Sequence, residues 1–412
     1  VTRTTPSTRT AEAPGWAPTL LICAFIATAQ MTWGAVVPVL PIMVADQQLP
    51  TAVLGPVIAA FAIGRVLVNI PAGLALRGVP PRALMLATCL LLTAVTAATG
   101  LVTDPALLVV ARLVAGVLGG AAVTVGFSVL LAGAPSARRG RVVAVATVVQ
   151  MSAAAVGATL GGAVVAFAGV AAAFAAAAVP VLLVTIIDVI RPARAYWSSF
   201  ERASAPAGRP PVPRGDRTAD LALVVALAAV SFALFFARFG IEQGLVPVLA
   251  YEQGGLDPLG LGLALGAGTV LSMVALPFVG RAVDRGARTA VIAVSGIGAA
   301  LAVVAFGLAA EPIGFTAAIV GYAVATSVAN VVPGVVTAEA FPGTRSGFVV
   351  GVTRTAGDVG AAAGPLAAFW LAERFDVSIA LGVVAAVLAA LIGWFGVVVL
   401  RQGPAASVPA AT

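Results

Sequence analysis

Histidine and lysine are both absent from the 412 residues, and charged side chains of any kind make up only 9% of them. Without histidine the chain cannot run imidazole chemistry, so a Ser-His-Asp hydrolase or a histidine general base is excluded. Without lysine it cannot build the G-x-x-x-x-G-K-[ST] phosphate loop of an ATP-driven machine. An enzyme is not expected. The two cysteines, Cys23 and Cys89, both sit in apolar segments. They exclude a disulfide framework or a thiolate metal cluster and read as buried, inert thiols. No cofactor or metal site is expected. A proton carried near neutral pH must therefore ride on a carboxylate whose pKa its surroundings have shifted. No cleavable signal peptide is expected either, since the first 16 residues are polar and the first apolar run is too long for an h-region.

What fills the chain is apolar: 61% of residues are hydrophobic, and mean hydropathy is +1.10. So little charge cannot cover a water-soluble surface, and the solvent is a lipid bilayer. Apolar runs predict spans at about 17–44, 52–76, 83–101, 106–133, 142–169, 172–190, 220–249, 258–280, 289–309, 313–338, 347–371 and 378–400. Lipid cannot satisfy backbone polar groups, so the spans must be helices. The expected fold class is an all-α integral membrane protein of twelve transmembrane helices. Its 45 glycines suit close helix contact in such a bundle.

The arginines orient it. With both termini on one side, that side receives eighteen arginines, Arg3, Arg9, Arg77, Arg138, Arg209, Arg214, Arg281, Arg285 and Arg401 among them. The opposite loops hold Arg374 alone, against Asp46, Asp104, Glu252, Asp257, Glu311, Glu373 and Asp376. The positive-inside rule makes both termini cytoplasmic. The basic pI of about 10.8 thus reports topology, and no nucleic-acid partner is expected. A polar stretch rich in Pro, Gly, Ser and Arg at 191–219 reads as a cytoplasmic linker without a core of its own. It divides a six-helix bundle at 17–190 from another at 220–400, with tails at 1–16 and 401–412. The halves look like copies. A shift of 207 residues lays Pro135 on Pro342, Arg138 on Arg345, Asp104-Pro105 on Glu311-Pro312, Gly73 on Gly280 and Gly157 on Gly364. Two pseudo-symmetric bundles with a site between them form the architecture of a secondary transporter.

Several motifs sit at matching places in these spans. The first ends in "PVLP" (38–41), the fourth holds "ARLVAGVLGG" with Arg112 and Gly116 in R-x-x-x-G spacing, and the fifth holds "AVGATLGG" (155–162). The eleventh holds "GAAAGP" (360–365). On these the chain resembles the major facilitator superfamily, and within it the twelve-helix drug:proton antiporter branch. The likeness covers roughly residues 17–400, with Ala158 standing where the branch's fifth-helix motif has proline. The superfamily loop G-x-L-A-D-R-x-G-R-R is degraded in the first half, "GLALRGVPPR" (73–82), where Leu76 precedes Arg77 without an aspartate. The second half, "GRAVDRGAR" (280–288), keeps Asp284 and Arg285. The resemblance implies that Arg77, Asp284 and Arg285 belong to a cytoplasmic gate. It also implies a proton-transfer role for Arg112. Gly157, Gly364 and Pro365 read as helix contact and bending points that let the halves rock.

Six ionisable residues are read within the spans: Arg65, Arg112, Arg238, Glu242, Arg354 and Asp358. Charges at that depth face a bundle interior or a wet cavity. Arg238/Glu242 and Arg354/Asp358 have the i,i+4 spacing that places both members on one helical face. Each pair is either a structural neutralisation or a proton-coupling carboxylate kept labile by its arginine. Arg65, with Asn69 one turn away, either braces packing or meets substrate. Gln30, Trp33, Phe235, Phe236 and Phe239 are the polar and aromatic candidates for the cavity wall. Four arginines against two carboxylates leave the interior formally positive and suited to neutral or anionic amphipathic substrates.

The leading expectation is a monomer in the bacterial cytoplasmic membrane that exports a small amphipathic molecule by alternating access. Its energy comes from the proton gradient. The alternatives are a symporter taking up an organic anion or metabolite, and a non-transporting sensor on a transporter scaffold.

Overall fold

The computed structural model describes residues 16–134, 139–203, 217–341 and 344–401. Arg3, Arg9, Arg138, Arg209, Arg214, Pro135, Pro342 and the tails beyond Trp16 and Arg401 lie outside the described residues. Every regular element among the described residues is helical. The first half comprises α1 (Trp16–Val36), α2 (Leu40–Asp46), α3 (Leu54–Ala75), α4 (Pro81–Thr99), α5 (Pro105–Gly133) and α6 (Arg139–Ile190). After α7 (Arg194–Ala203) the second half begins with α8 (Arg217–Ala237), which continues through a π-helical stretch, Arg238–Leu245, into α9 (Val246–Glu252). Then follow α10 (Pro258–Asp284), α11 (Arg288–Ala305), α12 (Pro312–Ala329), α13 (Val331–Ala340), α14 (Thr344–Arg374) and α15 (Val377–Arg401).

The breaks follow local chemistry. In "PVLP", Pro38 has no N–H to give the helical ladder, so α1 stops in a turn and restarts as α2 with Pro41 in its first turn. Asp104 and Asp257, each followed by proline, cap α5 and α10 by accepting from Leu107 N at 2.8 Å and Gly260 N at 2.6 Å. Glu311-Pro312, the repeat partner of Asp104-Pro105, starts α12 without a capping bond.

Among the described residues, ten helices are long and apolar enough to cross a membrane. One of them turns back on itself: in α6, Gly169 adopts φ 81°, ψ 178°, open to glycine and strained for other residues. Before that turn Gly161 packs on the backbone of Ala35; after it Ala171 lies beside Gly100 and Asp188 reaches Arg82. The two arms therefore run in opposite directions. The 31-residue α14 is a further long helix, less apolar because it carries Arg354 and Asp358.

The near end is where α1 begins and α15 ends; the far end is opposite. At the far end the halves are tied: the Tyr251 hydroxyl donates to Pro38 O at 2.6 Å, and Thr159 Oγ1 donates to Gly262 O at 3.0 Å. Gly162 there packs on the Pro258 backbone. Among the described residues, no hydrogen bond or ion pair joins the halves closer to the near end than Asn69 and Asp358 do. Hydrogen bonds and ion pairs thus tie the halves from the far end to mid-depth, and one turn beyond it Arg354 of α14 lies 5.9 Å from the Phe127 ring of α5.

The linker departs from expectation. Its first part folds as α7 because Tyr196, Trp197 and Phe200 share one face, and Tyr196 and Trp197 are buried against the first half. The Tyr196 hydroxyl shares a 2.6 Å hydrogen bond with Thr19, and burial pushes its phenol above the ordinary value. The anchor is Asp188, an intramembrane charge missing from the six read in the sequence and fully buried. It accepts from Arg82 Nε at 2.8 Å and from Ala193 N and Trp197 Nε1, each at 3.1 Å.

Candidate functional site

A cleft runs between the halves at mid-depth. Two adjoining cavities share Met151, Arg238, Glu242 and Thr269 and so form one site. The larger is walled by α8, α10 and α12, where its lining steps toward the near end through Leu234, Leu276 and Asn330. The smaller reaches into the first half at Gly34 and Ala154 and touches Gln243. Wide π-helical turns in the α8–α9 pass carry both charges to this cleft, and π-turns inside helices recur at functional sites. Gly240, in that stretch, packs against Gly364 of α14, an approach only a residue without a side chain permits.

Arg238 and Glu242 face each other loosely. Nε stands 3.9 Å from Oε2, beyond hydrogen-bond length, with side chains 35% and 18% exposed. Among the described residues the buried Nε of Arg238 has no hydrogen-bond partner, and neither does the fully buried hydroxyl of Tyr322.

Below the pair the site is sealed toward the far end. Trp33 Nε1 donates to Gln243 Oε1 at 2.7 Å, joining α1 to the π-helical stretch across the halves. Its ring stacks between Phe61, with centroids 4.4 Å apart, and Phe239 at 5.4 Å. Arg112 lies over both Trp33 and Phe61, its guanidinium carbon 4.9 Å from each ring centroid. It is almost wholly buried, and its Nε and Nη2 have no hydrogen-bond partner. Among the described residues its positive charge is met by aromatic faces.

The second carboxylate is enclosed. Asp358 is 1% exposed and pairs with Arg65 of α3 at 3.1 Å, while Asn69 Nδ2 donates to its other oxygen at 2.8 Å. Thr124 in turn donates to Asn69 Oδ1 at 3.3 Å. The expected Arg354/Asp358 pair is not formed. One turn closer to the near end, Arg354 is exposed and its guanidinium lies 5.9 Å from the Phe127 ring, while Asp358 faces α3 and the arginine there.

The remaining predicted residues divide. Phe235 lines the cleft. Phe236 is buried against Phe232 and the backbone of Gly364, and Gln30 is half-buried outside both cavities. Gly157 packs on Met31 and Gly364 on Phe236, equivalent contacts in the two halves, and the carbonyl of Pro365 faces Gly55. Arg77, Asp284 and Arg285 are exposed at the near end and make no ion pair with one another. Besides Arg82 with Asp188, an ion pair formed at that end is Arg288 with Glu339, two hydrogen bonds of 2.7 and 2.6 Å. Sequence reasoning passed over Gln243, Asp188 and Tyr322. Asp188, a lone acid in "TIIDVI", was the legible one; the other two carry no periodic signal.

The family model of the Major Facilitator Superfamily matches residues 20–253 and 227–411. Among solved structures, the inward open conformation of the xylose transporter XylE from E. coli is similar. The likeness has a TM-score of 0.69, covers 96% of this chain and 97% of that one, and comes with 13% identity. At that identity it is a likeness of fold. No curated protein sequence matches the chain.

Proposed function

The chain belongs to the Major Facilitator Superfamily, and from that membership we propose that it is a proton-coupled exporter of a small amphipathic molecule. Superfamily and fold are those of a membrane transporter and not of an enzyme. Counting both arms of the Gly169 hairpin and adding α14, we read twelve passes in two bundles of six. The arginine-rich near end is the cytoplasmic side of a bacterial membrane, and the protein works as a monomer without a cofactor.

One observation carries the reading. The cleft between the halves is approached from the near end, sealed toward the far end by Trp33 and Gln243, and lined by a carboxylate–arginine pair. That is the inward-facing member of an alternating-access cycle. Glu242 is the carboxylate that cleft water reaches, so it is assigned as the proton carrier, with Arg238 keeping its acidity high enough to release the proton. Asp358, enclosed and held by Arg65 and Asn69, is a brace between halves. Apolar walls suit an amphipathic substrate, and the antiporter-like motifs "PVLP" and "GAAAGP" favour export.

The test is proton flux in liposomes carrying an internal pH dye, with Glu242→Gln and Asp358→Asn compared. Substrate-dependent flux that Glu242→Gln abolishes and folded Asp358→Asn retains supports the assignment. The reverse pattern makes Asp358 the carrier, and no flux with neutral, cationic or anionic amphiphiles removes the proton-coupled reading. The unpaired Arg112 favours one second reading, uptake of an organic anion by symport; the sign of the flux separates the two.

A further inference from the structure

We infer that the cleft is built for a zwitterion, a small molecule carrying a carboxylate and an ammonium close together on an apolar body. This deepens the transport reading and rests on it for its location.

The two ion pairs of the interior differ in a way that packing alone does not require. Arg65 and Asp358 stand at 3.1 Å and lie away from the cleft, with Asn69 donating to Asp358 Oδ2 while Oδ1 has the ion pair but no hydrogen bond. Arg238 and Glu242 are held on adjacent turns of one pass, too far apart to hydrogen-bond, with Arg238 Nε left over. Both cavities border both charges. Such a pair holds one cationic and one anionic docking point at fixed spacing, each only partly satisfied by the other. A carboxylate can take Arg238 and an ammonium Glu242, trading one loose contact for two hydrogen-bonded ones.

Charge accounting excludes the simpler ligands from first place. An anion alone would satisfy Arg238 and leave Glu242 to be neutralised by a proton, and a cation alone would leave Arg238 without an anion in a half-buried site. A neutral amphiphile gains only apolar contact and leaves the pair as loose as before. A zwitterion adds no net charge to the membrane interior, and its apolar body lies against Phe235, Met151, Met273 and Leu276. Its ammonium competes with a proton for Glu242, so binding and proton release share one group.

The experiment uses four molecules with one body: L-phenylalanine, its methyl ester (cation), its N-acetyl derivative (anion) and the N-acetyl methyl ester (neutral). Binding to the purified full chain is read by thermal shift, and proton flux is read separately in liposomes. L-phenylalanine should bind about tenfold tighter than either singly charged form, a modest value for one extra charged contact in a cleft. Arg238→Gln should bring L-phenylalanine and the methyl ester to equal affinity, and Glu242→Gln should do the same for L-phenylalanine and the N-acetyl form. The double variant Arg238→Glu/Glu242→Arg keeps both charges and should restore the zwitterion preference, guarding against a variant that merely misfolds. Equal binding by all four, binding by none, or preference for a singly charged or neutral form overturns the inference. Zwitterion-selective binding without any proton flux keeps the inference and sinks proton coupling instead. Flux driven by the neutral or anionic form without zwitterion preference does the opposite.

Discussion

Arg65 and Asp358 stand 3.1 Å apart across the boundary between the halves, in a pocket where Asp358 is 1% exposed. Asn69, one turn along α3 from Arg65, donates to the same carboxylate, so the charge on α14 is met twice by one helix of the opposite half. In low dielectric such a pair contributes little net stability while intact, yet losing one member leaves an uncompensated charge.

Asp358→Asn is therefore expected to lower stability by about 3–5 kcal/mol, the usual cost of breaking a buried pair from one side. Removing both charges, Arg65→Leu with Asp358→Leu, should recover most of it. Melting of the purified protein in detergent measures both. A double variant as unstable as the single one would mean that shape, not charge, is what the site requires.

The glycine contacts give a second expectation. A methyl group on Gly364 would run into the Phe236 carbonyl and the Gly240 nitrogen, backbone atoms that cannot move aside. Gly364→Ala should cost about 1–3 kcal/mol, as overpacking does. Gly73 has nothing within 4 Å of where a Cβ would stand, and Gly73→Ala should be neutral or stabilising by about 0.4–1 kcal/mol. Denaturant unfolding of both variants separates a contact glycine from a spare one.

Much of the fold was legible because bilayer physics writes it into composition. Apolar runs marked the helices, and Gly157 and Gly364 marked the close approaches. The site was less legible because helical spacing speaks only of neighbours on one helix. It offered Arg354 as the partner of Asp358, whereas Arg65 of α3 reaches it from the opposite half. Nor does any periodicity announce that 238–245 winds as a π-helix, or that Gln243 meets Trp33. The linker hid α7 for a related reason: its composition is polar on average, and only the spacing of Tyr196, Trp197 and Phe200 shows the buried face.

Asp188 should be the pin that holds α7. Asp188→Ala strips three hydrogen bonds to its carboxylate, from Arg82, Ala193 and Trp197. Asp188→Asn retains an acceptor for Ala193 and Trp197 and loses mainly the charged bond. The alanine variant is expected to open the segment to proteolysis after Arg194, with the asparagine variant intermediate. Alkaline pH should act in the same direction. Burial raises the Tyr196 phenol above its ordinary value near 10, so its contribution is present below that value and lost as pH rises through the folded one. Equal protease resistance in all three proteins would show that apolar packing alone docks α7.

The far-end seal should be the place where one hydrogen bond sets the balance of conformations. Trp33 holds Gln243 across the halves at 2.7 Å, and Gln243 is buried. Trp33→Phe keeps an aromatic ring between Phe61 and Phe239 but removes the donor, leaving a buried acceptor unpaired at a cost of about 1–3 kcal/mol. That cost falls only on the conformation in which the seal is shut; a state open at the far end has water for Gln243. The variant should therefore move the equilibrium toward far-end opening by about tenfold for each 1.4 kcal/mol. A single cysteine at Val37, buried in the smaller cavity, reads this out in a Cys23→Ser/Cys89→Ser background. An impermeant maleimide added only on the far side of sealed vesicles should label it faster when Trp33→Phe is present. Adding Gln243→Met removes the stranded acceptor and should return the rate toward that of the parent. A lowered melting temperature with unchanged labelling would mean that the bond stabilises the fold in every state and does not gate it.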